Sequence, residues 1–290
     1  MEQILKDKSV VITGAGRGLG AAYARHVSGL GASVVVNDIN EDAANATAEA
    51  LRKAGGKAVV SAGSISSWDY AAKLVETCVS AFGRIDGLVN NAAILAHGKV
   101  TEMSERDLRA MLEVNTIGSA GCATHAIRQM LKQGTPGSIV NISSGSHAGD
   151  IALGGYGASK AAVASFTYCW ALELRDTNVR VNAVSPLAHT PMAESNMKLL
   201  AEQSASREVV YTTLPQPEVN APAVAFLLSD ASIGVNGQIV RIAGNELSYN
   251  THPMIAQPVL KGEWTDTAIA AAFRDTLAAR QQRLGLAYER

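Results

Sequence analysis

The stretch from Ser9 to Gly31 constrains this 290-residue chain more than any other. Ser9-Val10-Val11-Ile12-Thr13 reads as a short buried strand, an apolar β-branched run that ends at a glycine-rich turn. Gly14-Ala15-Gly16-Arg17-Gly18-Leu19-Gly20 follows, and a helical pattern then runs through Ala21, Ala22, Tyr23, Val27 and Leu30 to Gly31. Glycines let such a turn tighten and let backbone N–H groups approach a pyrophosphate, whose charge the helix N-terminus favours. The next strand, residues 33–37, ends at Asp38. That acid lies 18 residues after Gly20, near the ~20 at which an acid holds an adenosine ribose. Its carboxylate accepts from ribose hydroxyls and repels a 2′-phosphate, and neither Asn37 nor Ile39 supplies a cation for one. The pattern predicts NAD, with NADP the lesser expectation and Arg17 the loop cation that argues for it. Asp38 also reads as an N-cap for a helix starting near Glu41.

Strands and helices alternate through the rest of the chain, which predicts a parallel sheet covered on both faces. Helices are expected over 42–53, 70–82, 105–120 (continuing toward 131), 156–174 and 221–228, and strands over 57–62, 87–90, 137–144, 179–184 and 238–242. The predicted fold is α/β: a Rossmann-type, doubly wound, seven-stranded parallel sheet in a single domain over 1–245. A C-terminal helical extension over 246–290 packs on its own or a neighbouring subunit. Within it, Ile269, Phe273, Leu277 and Leu284 predict a helix over 265–284, and Pro253 and Pro258 an extended run over 249–264. A competing expectation is that this extension caps the active site. Residues 187–215 lie between sheet elements; Met192, Met197, Leu199, Leu200, Val209 and Val210 suit either an apolar pocket or ordinary packing.

Tyr156-Gly157-Ala158-Ser159-Lys160 places a phenol and an ammonium one helical turn apart, on one face. A neighbouring cation favours the phenolate, so Lys160 is expected to lower the pKa of Tyr156 and make it a proton-transfer group near neutral pH.

With these motifs in place the chain resembles the short-chain dehydrogenase/reductase family over roughly residues 5–245. Thr13 to Gly20 matches its TGxxxGxG turn, Asn90-Asn91-Ala92-Ala93 its NNAG strand end, and Tyr156 to Lys160 its YxxxK. Asn115, Asn141-Ile142-Ser143-Ser144 and Val181-Asn182-Ala183-Val184-Ser185-Pro186 fall on further family motifs. The resemblance implies a catalytic set of Asn115, Ser144, Tyr156 and Lys160. Counting back from Tyr156 selects Ser143 instead; strand register selects Ser144. It also implies cofactor contacts at Gly14, Arg17, Gly18, Leu19, Gly20, Asp38, Ser64, Ile65, Asn91, Ala92, Ala93, Tyr156, Lys160, Pro186 and Thr190, substrate contacts at Ser144, His147 and Tyr156, and a substrate loop over residues 187–215. Asn115 would anchor a water that passes protons from Lys160. Ser64-Ile65 stands where the family has Asp-Val, and Leu187 replaces the glycine after Pro186. The implied activity is NAD-dependent interconversion of a secondary alcohol and a ketone, without metal. A 3-hydroxyacyl thioester substrate is the alternative within enzymes, and a nucleotide-bound non-catalytic sensor or scaffold the alternative of another class.

Composition narrows the partners. The chain is 47% hydrophobic with net charge −1, which gives no electrostatic case for nucleic acid or an anionic membrane. No apolar run reaches the ~18 residues that span a bilayer, and residues 1–8 lack a signal-peptide core. Cys78, Cys122 and Cys169 form no close pair in sequence, as in a reduced cytoplasmic protein. No histidines have metal-ligand spacing; His97, His147 and His189 follow strands that border the site. Apolar residues on more than one face of the helix from Tyr156 (Phe166, Tyr168, Trp170, Leu172) predict a homodimer or homotetramer, as the resemblance also implies.

Overall fold

Seven strands form one parallel sheet: β1 (Ser9–Ile12), β2 (Ser33–Asp38), β3 (Ala58–Ala62), β4 (Gly87–Asn90), β5 (Gly137–Ile142), β6 (Val179–Pro186) and β7 (Ile239–Ala243). Their spatial order is β3-β2-β1-β4-β5-β6-β7, so the direction of travel reverses between β1 and β4. These relations come from a computed structural model that describes residues 3–190, 192–195, 213–281 and 285–288.

The apolar strand runs have two dry faces to supply. Val10 and Ile12 point to one face, against Tyr23 and Val27 of α1 (Gly18–Gly29), Ala48 and Leu51 of α2 (Glu41–Lys53) and Val224 and Leu227 of α7 (Ala221–Leu228). Val11 points to the other face, against Leu74 and Cys78 of α3 (Trp68–Phe82) and Cys122, Ala126 and Met130 of α5 (Ser119–Gln133). Alternate residues of one four-residue strand thus anchor both helical layers.

Four features differ from the sequence expectations. The sheet has an eighth strand, β8 (Glu246–Asn250), antiparallel to β7. A two-residue turn at Gly244 and Asn245, with Gly244 at φ +63°, reverses the chain. Glu246 accepts from Arg241 Nη2 at 2.8 Å across the pair. The extension therefore begins inside the sheet.

The long helix predicted from residue 105 is interrupted. α4 (Glu105–Met111) passes into a wide π-helical segment, Leu112–Gly118, before α5 continues. Third, Asn40, not Asp38, caps α2, its side chain accepting from Ala43 N at 2.9 Å.

Last, the extension is only partly helical. α8 (Asp266–Ala272) runs into a π turn at Phe273–Leu277 and a 3-10 turn at Ala278–Arg280, and residues 251–264 carry no regular element. Leu284 lies outside the described residues. So do Met197, Leu199, Leu200, Val209 and Val210 of the substrate loop, of which residues 192–195 are helical. No helix among the described residues is long and apolar enough to cross a membrane.

Candidate active site

In an open α/β sheet the crevice at the point where strand order reverses, outside the carboxyl ends of the strands, receives ligands. Here that point is framed by the turn after β1 and the strand end after β4. The turn is as tight as its glycines allow: a Cβ on Gly20 would sit 2.1 Å from Gly14 O. Asn91 Nδ2 donates to Thr13 O (2.9 Å) and Gly14 O (3.1 Å), and Thr13 Oγ1 accepts from the N–H groups of Asn91 and Ala92, both at 3.0 Å. These bonds lock β4's end to the turn. Asp38 Oδ2 accepts from Gly16 N at 2.9 Å and Oδ1 from Asn40 N at 3.0 Å. A Cβ on Gly16 would lie 2.8 Å from Asp38 Oδ2, so glycine there brings the carboxylate against the turn.

α2, α3 and α4 (Glu105–Met111) each start with a side-chain cap, from Asn40, Ser67 and Ser104. α1 starts at Arg17 with none. Its first-turn N–H groups, the glycine cradle and the acid at the end of β2 suit a dinucleotide: donors for a pyrophosphate, and an acceptor for ribose hydroxyls.

From this turn a cleft of about 1210 Å³ runs across the carboxyl ends of the strands. All the residues expected to hold the cofactor line it: Gly14, Arg17, Gly18, Leu19, Gly20, Asp38, Ser64, Ile65, Asn91, Ala92, Ala93, Tyr156, Lys160, Pro186 and Thr190. Ser144, Tyr156 and Lys160 stand at its other end. Two of the expected residues, Asn115 and His147, do not line it.

β5 ends at Ile142, and the chain then leaves the sheet. Ser143 turns inward, 2% exposed, with its hydroxyl 3.4 Å from His147 Nδ1. Ser144 faces the cleft; its hydroxyl bonds Ser146 and lies in hydrogen-bond contact with the Tyr156 phenol. Both serines line the cleft, and it is Ser144 that meets the Tyr156 phenol.

Tyr156 and Lys160 both project from the start of α6 (Gly154–Glu173) and both are buried. The expected lowering of the phenol pKa is not met. Burial pushes Tyr156 up to about 12, and the opposing influence is the hydrogen bond with Ser144. Lys160 is itself driven down to about 8 by burial. Its Nζ donates to Ile142 O at 2.7 Å and stands 5.7 Å from the Tyr156 ring centroid. Sharing a helix face in a dry site disfavours the charged form of each group, and this outweighs their pairing.

Asn115 is held by the π segment and fully buried. Its Oδ1 accepts from Ile94 N (2.8 Å), and its Nδ2 donates to Ile94 O (2.9 Å) and Ser159 Oγ (3.0 Å). Both amide hydrogens are used in bracing the strand end to α6. His147 Nδ1 lies against Ser144 O, and burial lowers its pKa. It braces the loop from behind. His189 pairs with Glu194 at 2.6 Å. Among the described residues no three of His, Cys, Asp or Glu gather as a metal site.

Sequence reasoning raised the C-terminal extension as a cap but named none of the apolar group on the Tyr156 side of the cleft: Leu95, Ile151, Leu153 and, from the far end of the chain, Gly285 and Leu286. Met192 lies with them, at the described edge of the substrate loop. No spacing rule points from position 286 to position 145.

The family model for short chain dehydrogenases matches residues 8–200. A cis-4-hydroxycyclohexanecarboxylate dehydrogenase of Sinomonas cyclohexanicum is 36% identical over 247 residues, spanning 84% of this chain and 98% of its own. A 3beta-hydroxysteroid dehydrogenase 1 of Eggerthella lenta is 35% identical over 255 residues, 84% of this chain and 95% of its own. Among solved structures, a short chain dehydrogenase from Mycobacterium avium superposes with TM-score 0.84 at 28% identity, covering 99% of this chain and 100% of that one. An NAD+-bound xylitol dehydrogenase superposes with TM-score 0.78 at 28% identity, covering 83% and 99%.

Proposed function

The chain belongs to the short-chain dehydrogenase family, and from that premise we propose that it is an NAD-dependent oxidoreductase interconverting a secondary alcohol and a ketone. One observation carries this reading: the Ser144–Tyr156–Lys160 group shares a single cleft with the glycine turn and Asp38. The turn, Ser64, Ile65, Asn91 to Ala93, Pro186 and Thr190 would hold the cofactor. Bound NAD supplies the hydride acceptor for oxidation, and as NADH the donor for reduction.

The chain's own groups handle the proton. Ser144 donates to the substrate oxygen and orients it against Tyr156. Tyr156 gives its proton to a ketone oxygen, or takes one from an alcohol. With its pKa pushed up to about 12, the phenol is protonated at neutral pH and ready to act as an acid; oxidation gains as pH rises. Lys160 holds the carbonyl of Ile142 and sits beside the Tyr156 ring. Asn115 acts as a positioning residue, clamping Ile94 to the helix that carries Tyr156.

Asp38 supports NAD over NADP, since its fixed carboxylate repels a 2′-phosphate. The apolar lining near Tyr156 supports an uncharged substrate over a thioester with a phosphate-bearing carrier. Arg241, a cation of that cleft, is already paired with Glu246. Lys198 and Arg207, which would serve such a carrier, lie outside the described residues. Leu172 is 66% exposed on α6, and Phe166 and Trp170 stack on that helix, which supports assembly of a homo-oligomer through it.

The test is nicotinamide absorbance with purified protein, NAD or NADP, and a panel of secondary alcohols and ketones. NAD-dependent turnover that Tyr156→Phe abolishes is the expected result. NAD binding with no turnover of any member would support the sensor reading instead.

A further inference from the structure

We infer that the C-terminal segment of this same chain builds the wall of the cleft beside Ser144, and that Leu286 is the side chain that limits substrate size there. The inference rests on the reading of the Tyr156 end of the cleft as an alcohol site. Gly285 and Leu286 line the same cleft as Tyr156 and Lys160. A Cβ on Gly145, the residue after Ser144, would meet Leu286 Cδ2 at 3.0 Å. A Cβ on Gly285 would meet Gly149 O at 3.4 Å, and Gly149 and Gly285 have φ of +101° and +80°. Two facing glycines in left-handed backbone let the two segments approach without side chains between them. Every one of these contacts falls on the segment between Ser144 and Tyr156, none on the glycine turn. With Leu95, Ile151, Leu153 and Met192, Leu286 makes this end apolar.

Relatives differ in how much of this chain they span. The two dehydrogenase relatives span 95% and 98% of themselves while matching 84% of this chain. The xylitol dehydrogenase structure covers 83% of this chain and 99% of its own. The unmatched share is the size of the segment 246–290. These relatives complete the fold with about that much less chain, whereas the Mycobacterium avium structure covers 99% of this one; a stretch that varies among relatives is free to serve specificity.

Two full-length measurements test the inference. The first is independent of turnover: Gly145→Cys with Leu286→Cys, in a Cys169→Ser background, oxidised and mapped by peptide mass. An intrachain cross-link in most molecules, absent from either single variant, is expected; failure to form it overturns the inference. The second ranks a size series of secondary alcohols. Leu286→Ala should raise kcat/KM for the bulkiest member about tenfold relative to the smallest, and Leu286→Trp should do the reverse, a difference of the size that methylenes make in an apolar pocket. NADH affinity should stay unchanged in both. Equal effects on every alcohol, or an altered NADH affinity alone, would overturn it. If the wild-type protein turns over no alcohol while the cross-link forms, the reaction assignment fails and the wall stands.

Discussion

Lys160→Met should stabilise this protein at pH 7 and cease to do so near pH 9.5. Folded, Lys160 has its pKa lowered to about 8 from an ordinary 10.5 by burial. Below pH 8 the folded chain carries a buried ammonium, at a cost of ~3 kcal/mol for that shift. Between 8 and 10.5 the folded chain sheds the proton while the unfolded chain keeps it, so the penalty fades. By pH 9.5 it has fallen to ~1.5 kcal/mol by the same linkage. Methionine removes the penalty and also removes the hydrogen bond to Ile142 O, a charge-assisted bond worth ~1.5–3 kcal/mol. The net expectation at pH 7 is a gain of ~0.5–2 kcal/mol, shifting by ~2 kcal/mol toward destabilisation at pH 9.5. Cys78 and Cys122, pushed up to about 12 from 9 by burial, also cost the fold stability once the unfolded thiols ionise above pH 9. They are common to both proteins and cancel in the difference. Urea unfolding of wild type and Lys160→Met at both pH values measures it. A variant less stable than wild type at pH 7, by a margin that does not move with pH, would refute the reasoning.

Other outcomes are expected on the same grounds. Tyr156→Phe should lower kcat by ~10²–10⁴, the usual worth of a positioned acid or base, with NADH affinity unchanged by fluorescence titration. Asp38→Asn should cut the NAD-over-NADP ratio of kcat/KM by about tenfold or more, since it removes the charge that opposes a 2′-phosphate. Asn115→Ala leaves the N–H and C=O of Ile94 without these partners and should cost ~2–6 kcal/mol on unfolding, at ~1–3 kcal/mol per orphaned group; a loss in kcat with little change in KM would mark its positioning role. A thiol reagent should label Cys169 rapidly, while Cys78 and Cys122, both buried, react only on unfolding.

What could be read from the sequence was what local backbone chemistry dictates. The turn from Gly14 to Gly20 has its requirements within seven residues, and β1 to β7 announce themselves as apolar runs between breakers. Strand register placed Ser144 beside Tyr156 in the same cleft. The features that escaped depend on partners remote in sequence. β8 is an exposed edge strand with no buried alternation, so only its pairing with β7 identifies it. The π segment at Leu112–Gly118 widens a helix without altering its apolar pattern. The pKa of Tyr156 was misjudged because spacing shows which groups are neighbours and not how dry their surroundings are. His147 sits in the expected loop but outside the cleft lining, with its Nδ1 against Ser144 O, a placement no motif specifies.

The two ends of the cleft differ in when they can form. Gly16 and Asp38, which meet across 22 positions, close a short loop of chain, and Asn91 joins the glycine turn across 78, so the core of the nucleotide end draws on the first third of the chain. The wall at Leu286 meets Gly145 across about half the chain, after β8 has turned the backbone away from the cleft and the tail has come back to it. Loop closure over such a separation is entropically late. During refolding, nucleotide binding should therefore appear before selectivity among alcohols, and a young enzyme should be less discriminating than a mature one.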